Sequence, residues 1–229
     1  FTINTWLRSL YYSTNKKIYN DSTFRLFSGI INRPVNFRAE SMKDEFFGVT
    51  EKADGMRGFA IVLDDSLIIV TNKRIYKKID GGLDKNLNGT ILDCEILENG
   101  VVYAFDCLMY MGEPIMSELG LKRISIVNSV ISELGAGESV IAKKFVFTRN
   151  LAGDTDMCWK NTDLGYENID GLIYVNMYEN YQSIQYKFKQ IDKLSIDFKV
   201  VAVKGGDNFY NLFTTEKNGR KDKLYRVTG

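Results

Sequence analysis

Hydrophobic and polar positions change period along the chain, and the changes mark its elements. Over residues 1–31, Trp6, Leu7, Leu10, Tyr11, Phe24, Phe27, Ile30 and Ile31 recur at largely helical intervals. This predicts one or two helices covering a sheet, ended by Pro34. From residue 46 the period shortens to apolar runs broken by turns. Phe59–Leu63 and Leu67–Thr71 flank Asp64-Asp65-Ser66, which reads as a hairpin. Asp80-Gly81-Gly82 marks another turn, and Asn99-Gly100 joins the runs 91–97 and 101–110 as a second hairpin. Leu119, Ile124, Val127, Val130, Ile131 and Leu134 restore a helical stripe over 116–135, closed by Gly135 and Gly137. Strands are predicted at 140–147, 171–176, 184–189 and 196–203, with turns at Gly205-Gly206 and Asn218-Gly219. The pattern is α+β, dominated by antiparallel strands, with a small all-β piece near residue 195. It divides into 1–194 and 195–229.

Composition supports a packed protein. Of 229 residues, 45% are hydrophobic, enough for a substantial core. Thirty basic and 29 acidic residues leave a formal charge of +1, so any RNA contact must come from a local patch. Cys94, Cys107 and Cys158 form no CxxC pair and read as reduced and buried, in a cytoplasm-like compartment. The triplets at Asn20 and Asn88 read as chance matches to a glycosylation signal. No apolar run approaches a membrane span. The chain starts at Phe1 rather than Met and stops just after a strand-like run. It is expected to be a piece of a longer polypeptide. The absence of histidine narrows the chemistry most. Imidazole-dependent triads and HExxH zinc sites are excluded. Catalysis must use Lys, Arg, Asp, Glu, Tyr or Cys, with a hard metal on oxygen ligands.

Five segments carry candidate chemistry. Lys52-Ala53-Asp54-Gly55-Met56-Arg57 places a lysine at a turn. Gly55 would let backbone approach a ligand, and Arg57 offers a fork of donors for phosphate or ribose oxygens. An ordinary lysine stays protonated, with a pKa of ~10.4. Neighbouring cations such as Arg57, Lys187 and Lys189 would lower it and free the nucleophile. Lys-x-Asp-Gly is also a common solvated turn, and Lys78-Ile79-Asp80-Gly81 repeats the form with nothing chemical after it. In Leu92-Asp93-Cys94-Glu95-Ile96, strand alternation puts Asp93 and Glu95 on one face, suited to ribose hydroxyls, a divalent cation or simply water. Tyr186-Lys187-Phe188-Lys189 puts two ammonium groups roughly 7 Å apart, able to bracket a phosphate. Asp170 opens an apolar strand as a metal ligand or turn residue. Phe105 and Tyr103 offer rings for base stacking or for the core.

The order of these segments decides between the readings. Lys52-x-Asp54-Gly55-x-Arg57, Asp93-Cys94-Glu95, Phe105-Asp106, Asp170-Gly171-Leu172-Ile173 and Lys187-Phe188-Lys189 resemble, in sequence, motifs I, III, IIIa, IV and V of the covalent nucleotidyltransferases. That superfamily comprises DNA ligases, RNA ligases and mRNA capping guanylyltransferases. Leu194-Ser195-Ile196-Asp197-Phe198 resembles the Thr-Ile/Val-Asp-Phe run of the capping branch, and Phe47–Gly55 resembles capping enzymes of large DNA viruses.

The resemblance implies a nucleotidyltransferase domain of antiparallel sheets flanked by helices, followed by the start of a truncated OB-fold. It implies that Lys52 attacks the α-phosphate of GTP, releases pyrophosphate and carries GMP to the 5′-diphosphate end of RNA. Asp54 and Gly55 belong to the nucleotide-binding motif. Arg57 and Glu95 would contact the ribose, with Arg74 as a further sugar or phosphate contact. Phe105 would stack on guanine, and Asp170 would help hold Mg²⁺ or Mn²⁺. Lys187 and Lys189 would bind the α-phosphate. Guanine selection falls to a lysine in 141–147. Lys143, sharing a strand face with Ile141, Phe145 and Phe147, is favoured over Lys144.

Fused or associated RNA triphosphatase and cap methyltransferase domains are expected as partners, in the host cytoplasm or virion. The OB-fold is expected to be truncated, with residues 195–229 supplying only its first strands. The chain is therefore expected to bind GTP but form the Lys52 adduct slowly or not at all. Two other readings are an ATP-dependent RNA or DNA ligase and a nucleotide-binding scaffold without catalysis.

Overall fold

The computed structural model describes residues 3–15, 29–37, 46–71, 75–80, 83–134, 139–149, 169–189, 199–202, 210–215 and 222–225. Two compact units divide the chain, Phe1–Lys189 and Gln190–Gly229. The division falls five residues before the boundary read from the sequence.

The larger unit holds two sheets. One follows the order β5 (Ile75–Asp80), β4 (Ser66–Thr71), β3 (Met56–Leu63), β6 (Ile91–Ile96), β7 (Val102–Tyr110) and β8 (Glu113–Pro114), with β9 (Val140–Ala142) parallel to β7. The other follows β1 (Val35–Asn36), β12 (Tyr186–Phe188), β11 (Ile169–Asn176), β2 (Phe47–Ala53) and β10 (Val146–Thr148). Nearly all pairings are antiparallel. The β3–β4 hairpin turns on Asp64-Asp65, and Asp64 takes a positive φ of 54° that aspartate tolerates.

Both faces of the first sheet are buried. Leu92, Cys94, Ala104 and Cys107 pack with Val127, Val130 and Leu134 of helix α2 (Gly120–Leu134). Phe59, Ile61 and Leu108 pack with Leu10 of helix α1 (Ile3–Asn15) and with Ile30 and Tyr181. Two-sided burial explains why β3 and β4 read as continuous apolar runs rather than alternating ones. Cys94 and Cys107 are free thiols in this core, and burial pushes both well above the usual thiol range. The smaller unit contributes an antiparallel meander of β13 (Lys199–Ala202), β14 (Tyr210–Thr215) and β15 (Asp222–Tyr225).

Several local expectations change. Lys78-Ile79-Asp80, read as a turn, is the end of edge strand β5. The single strand expected over 140–147 is two strands in different sheets: β9 joins β7, and β10 joins β2. Residues 143–145 cross between the sheets. The chain also crosses at Asp54-Gly55, between β2 and β3. These two crossings frame the site described next. Arg74, Cys158 and the run 194–198 lie outside the described residues.

Candidate active site

Between the sheets opens a cleft of about 130 Å³. Its lining includes Thr50 and Lys52 of β2, Arg57 of β3, Glu95 of β6, Phe105 and Asp106 of β7, Lys143 and Phe145 of the crossing, and Ile173 and Val175 of β11. Four segments read as separate candidates thus share one cavity.

Lys52 stands near the end of β2, opposite Gly171 of β11. Its ammonium is hydrogen-bonded and ion-paired to Asp170, whose other oxygen accepts from Lys189 Nζ at 2.7 Å. Burial raises the Asp170 pKa, but the bonds from Lys189 and Lys52 outweigh it and hold the carboxyl below the usual range. The sequence reading surrounded Lys52 with cations. The structure places a carboxylate against it, shared with Lys189. A bulge in β11 between Ile169 and Gly171 makes this meeting possible. Gly171 has φ of 155°, and a Cβ there would lie 2.1 Å from the carbonyl oxygen of Phe188. Only glycine lets β11 lie this close to the strand that delivers Lys189.

Arg57 and Glu95 face each other across β3 and β6. Asp93 shares their side but is not open to a ligand. It is fully buried and accepts a two-pronged bond from Arg57 Nε and Nη2, both at 2.6 Å. The Tyr181 hydroxyl donates to the same carboxylate at 2.6 Å. The open carboxylate pair expected from alternation is therefore one cavity group, Glu95, and one structural anchor, Asp93. The anchor fixes the guanidinium plane, a geometry lysine cannot copy. Burial raises the Glu95 pKa, against the opposing fields of Arg57 and Lys143.

Phe105 reaches the cavity through a second irregularity. Cys94 pairs with Ala104 and Asp93 with Asp106, so Phe105 is the extra residue of a bulge in β7. Phe105 and Asp106 can then both line the cleft, which strict alternation forbids. The Arg57 guanidinium lies 4.4 Å from the centre of the Phe105 ring, and Lys143 Nζ lies 5.4 Å from it. Asp106 is held by Arg123 of α2, whose Nε donates at 2.8 Å and whose Nη2 donates at 3.1 Å. Arg123 is itself fully buried and also donates to the carbonyls of Glu118 and Glu179. Burial raises Asp106, with Arg123 opposing.

Lys143 is buried in the cleft while Lys144 faces solvent. The reason differs from the one read in the sequence. Ile141 and Phe147, expected to share the buried face, are 37% and 44% exposed. Lys143 is oriented instead by the crossing, where its N–H donates to Ala104 of one sheet and the Lys144 carbonyl accepts from Thr50 of the other. Burial lowers the Lys143 pKa to about 8, with Glu95 and Glu51 pulling it back up.

The remaining candidates sit at the margin. Asp54 and Gly55 form the exposed turn between β2 and β3. A Cβ on Gly55 would lie 2.6 Å from the Ile96 carbonyl oxygen, so packing within the protein already requires this glycine. Lys187 lies opposite Ile173, on the face away from Tyr186 and Phe188, which pack with Phe47, Val49, Leu172 and Tyr174. Sequence reasoning missed Thr50, Phe145, Tyr181 and Arg123. Tyr181 and Arg123 carry no local signal, because their partners lie 88 and 17 residues away.

The donor set bears on a metal. Among the described residues no group of three or more His, Cys, Asp or Glu gathers as a cation cage. Asp170 is a lone carboxylate beside two cations. Such a site fits Mg²⁺ that arrives with phosphate oxygens and keeps most of its waters.

Comparison with known proteins agrees with this architecture. No family model matches the chain. It is 30% identical over 160 residues to the mRNA-capping enzyme of African swine fever virus isolate Pig/Kenya/KEN-50/1950, covering 66% of this chain and 18% of that protein. The counterpart of isolate Tick/South Africa/Pretoriuskop Pr4/1996 is 29% identical over the same length. Over this stretch the chain is similar to viral mRNA-capping enzymes. It spans under a fifth of the length of those relatives. Among solved structures, a Lig E DNA ligase aligns with a TM-score of 0.52 at 14% identity, over 86% of this chain and 83% of that one. The fold is therefore shared with that DNA ligase.

Proposed function

We propose that this domain is the guanylyltransferase core of an mRNA capping enzyme. The observation that carries the reading is the convergence of Lys52, Asp170 and Lys189, from three distant segments, beside a cleft lined by Arg57, Glu95, Phe105 and Lys143. One lysine has an anionic partner and a cationic neighbour, and the cavity offers a ring, a carboxylate and two further cations. That set suits a nucleoside triphosphate.

In this reading Phe105 stacks on guanine and Lys143 donates to the base. Arg57 and Glu95 hold the ribose, with Asp54, Gly55 and Arg74 completing the nucleotide contacts. Lys187 and Lys189 bind the α-phosphate, and Lys52 attacks its phosphorus. A P–N bond forms, the bond to the bridging oxygen breaks, and pyrophosphate leaves. GMP then passes to the 5′-diphosphate end of RNA, and Lys52 is restored. Asp170 would hold Mg²⁺ or Mn²⁺, which when bound offsets phosphate charge. Lys52 must part from Asp170 and lose a proton to solvent before its neutral amine can attack, and the amine sheds a further proton as the P–N bond forms. Lys187, Lys189 and Arg57 supply fixed positive charge where the transition state gathers negative charge.

The three-stranded meander in 190–229 is read as the beginning of an OB-fold. Triphosphatase and methyltransferase domains are the expected partners, and the cytoplasm or virion the expected location. No helix among the described residues is long and apolar enough to cross a membrane.

The test is incubation with α-labelled GTP or ATP and Mg²⁺ or Mn²⁺, followed by mass spectrometric mapping. A longer polypeptide that completes the OB-fold should take label from GTP on Lys52, and the present chain much less. Label from ATP alone would replace capping by ligation. A chain whose cellular role is indifferent to Lys52→Ala would be a scaffold.

A further inference from the structure

Beyond the cleft, one surface has a composition the sequence did not reveal. Phe46, just before β2, stacks on Phe147 of β10 at 5.8 Å between ring centres and 21° between planes. Tyr178, just after β11, lies 5.4 Å from Phe46. The Arg149 guanidinium sits 5.6 Å from the Phe46 ring centre, with Nη2 3.5 Å from the Tyr178 hydroxyl. Phe147 and Tyr178 are 44% and 51% exposed. Three rings and a guanidinium thus meet at the surface, brought from three segments. Glu179, next to Tyr178 in the chain, accepts from the Ser183 hydroxyl at 3.2 Å.

This surface is continuous with the cleft. Phe46 packs on the apolar cluster of Ile124, Val175 and Met177, which Phe145 and Ile173 also join. Ile124, Val175, Phe145 and Ile173 line the cavity. Phe46 and Lys52 lie six residues apart along β2. At ~3.4 Å per residue that is about 20 Å, a few nucleotides of extended chain. Exposed rings stack on any base, and an arginine beside them pairs with phosphate or stacks in turn. A chain of near-zero net charge needs such a local patch to hold RNA.

We propose that the Phe46–Phe147–Tyr178–Arg149 surface binds the single-stranded RNA acceptor a few nucleotides downstream of the end that meets Lys52. This rests on the capping reading for its direction, but the binding itself is measurable without nucleotide transfer. Anisotropy of a labelled 5′-diphosphate single-stranded RNA should show the double variant Phe147→Ala/Tyr178→Ala weakening binding about tenfold or more. Arg149→Glu should weaken it and flatten its salt dependence. The ring-preserving pair Phe147→Tyr/Tyr178→Phe should bind like the parent, which separates lost stacking from lost folding. A 5′-diphosphate dinucleotide, too short to reach the patch, should be indifferent to all of them, as should GTP binding. Unchanged RNA affinity in the alanine variant would overturn the proposal. Unchanged RNA affinity with lost association of a neighbouring protein domain would assign the surface to that partner and overturn it equally. Failure of GTP labelling sinks the capping reading and leaves the anisotropy result standing.

Discussion

Two segments of this chain share the form Lys-x-Asp-Gly, and the fold treats them differently. Lys78 pairs with Asp80, two residues away on an edge strand, and the side chains are 51% and 66% exposed. Lys52 pairs with Asp170, 118 residues away, beside a second lysine and a lined cleft, and the side chains are 25% and 20% exposed. The shared residues set neither environment. What differs is the number of distant strands that converge on each lysine. A short motif gains chemical meaning from the long-range register around it.

The contrast can be broken most decisively at the lysines themselves. Lys52→Ala should abolish covalent nucleotide labelling in a polypeptide competent for it, as read by gel and mass spectrometry. A smaller but still large effect is expected at the anchor behind the site. Arg57→Ala leaves the Asp93 carboxylate buried without its guanidinium and should cost about 3–5 kcal/mol in denaturant unfolding. Tyr181→Phe, which removes one bond to the same charge, should cost about 1–3 kcal/mol.

Gly171→Ala probes the register rather than the chemistry. Its Cβ would collide with the Phe188 carbonyl, so about 3 kcal/mol of stability should be lost. Nucleotide labelling should fall although no ligand-facing group has changed. A Gly171→Ala protein as stable as the parent would contradict the close strand approach.

Lys143 sharpens the picture through pH. Burial lowers its pKa to about 8, against ~10.4 in the unfolded chain. Below about pH 8 both states are protonated, and the folded state bears the full cost of a buried ammonium. Between the two values the unfolded chain binds the extra proton, so relative stability rises with pH by roughly 3 kcal/mol. Subtracting the profile of Lys143→Met isolates this rise from the buried thiols and tyrosine. A flat difference would mean that Lys143 is not desolvated. The smallest effect belongs to the other half of the comparison. Lys78→Ala should leave labelling and melting temperature unchanged, because its partner is local and solvated.

Sequence reading recovered what local pattern encodes. The hairpins at Asp64-Asp65 and Asn99-Gly100, the helix around Val127 and Val130, and the antiparallel α+β character all follow from period and turn chemistry. It also identified, through motif order, the segments whose residues meet in the cleft. It did not see what depends on irregular register. Phe105 and Asp106 face the same cavity because of a bulge, and Asp170 approaches Lys52 because of another. A period-two reading has no place for an extra residue. Nor could it see Asp93 withdrawn into the interior, since alternation reports a face and not what covers it. The division of 140–147 between two sheets escaped for the same reason. Its apolar pattern is that of one strand, and only its partners differ.

The two inter-sheet crossings have a consequence for protein engineering. At Asp54-Gly55 and at 143–145 the chain passes directly from one sheet to the other, with Lys52, Arg57, Lys143 and Phe145 on or beside the passage. A residue added there would change the spacing of the sheets as well as a loop length. The tips at Asp64-Asp65 and Glu98–Gly100 join neighbours within one sheet and face solvent. Those tips are where a reporter tag or a permuted terminus should be accommodated, while the crossings should reject even a single inserted glycine.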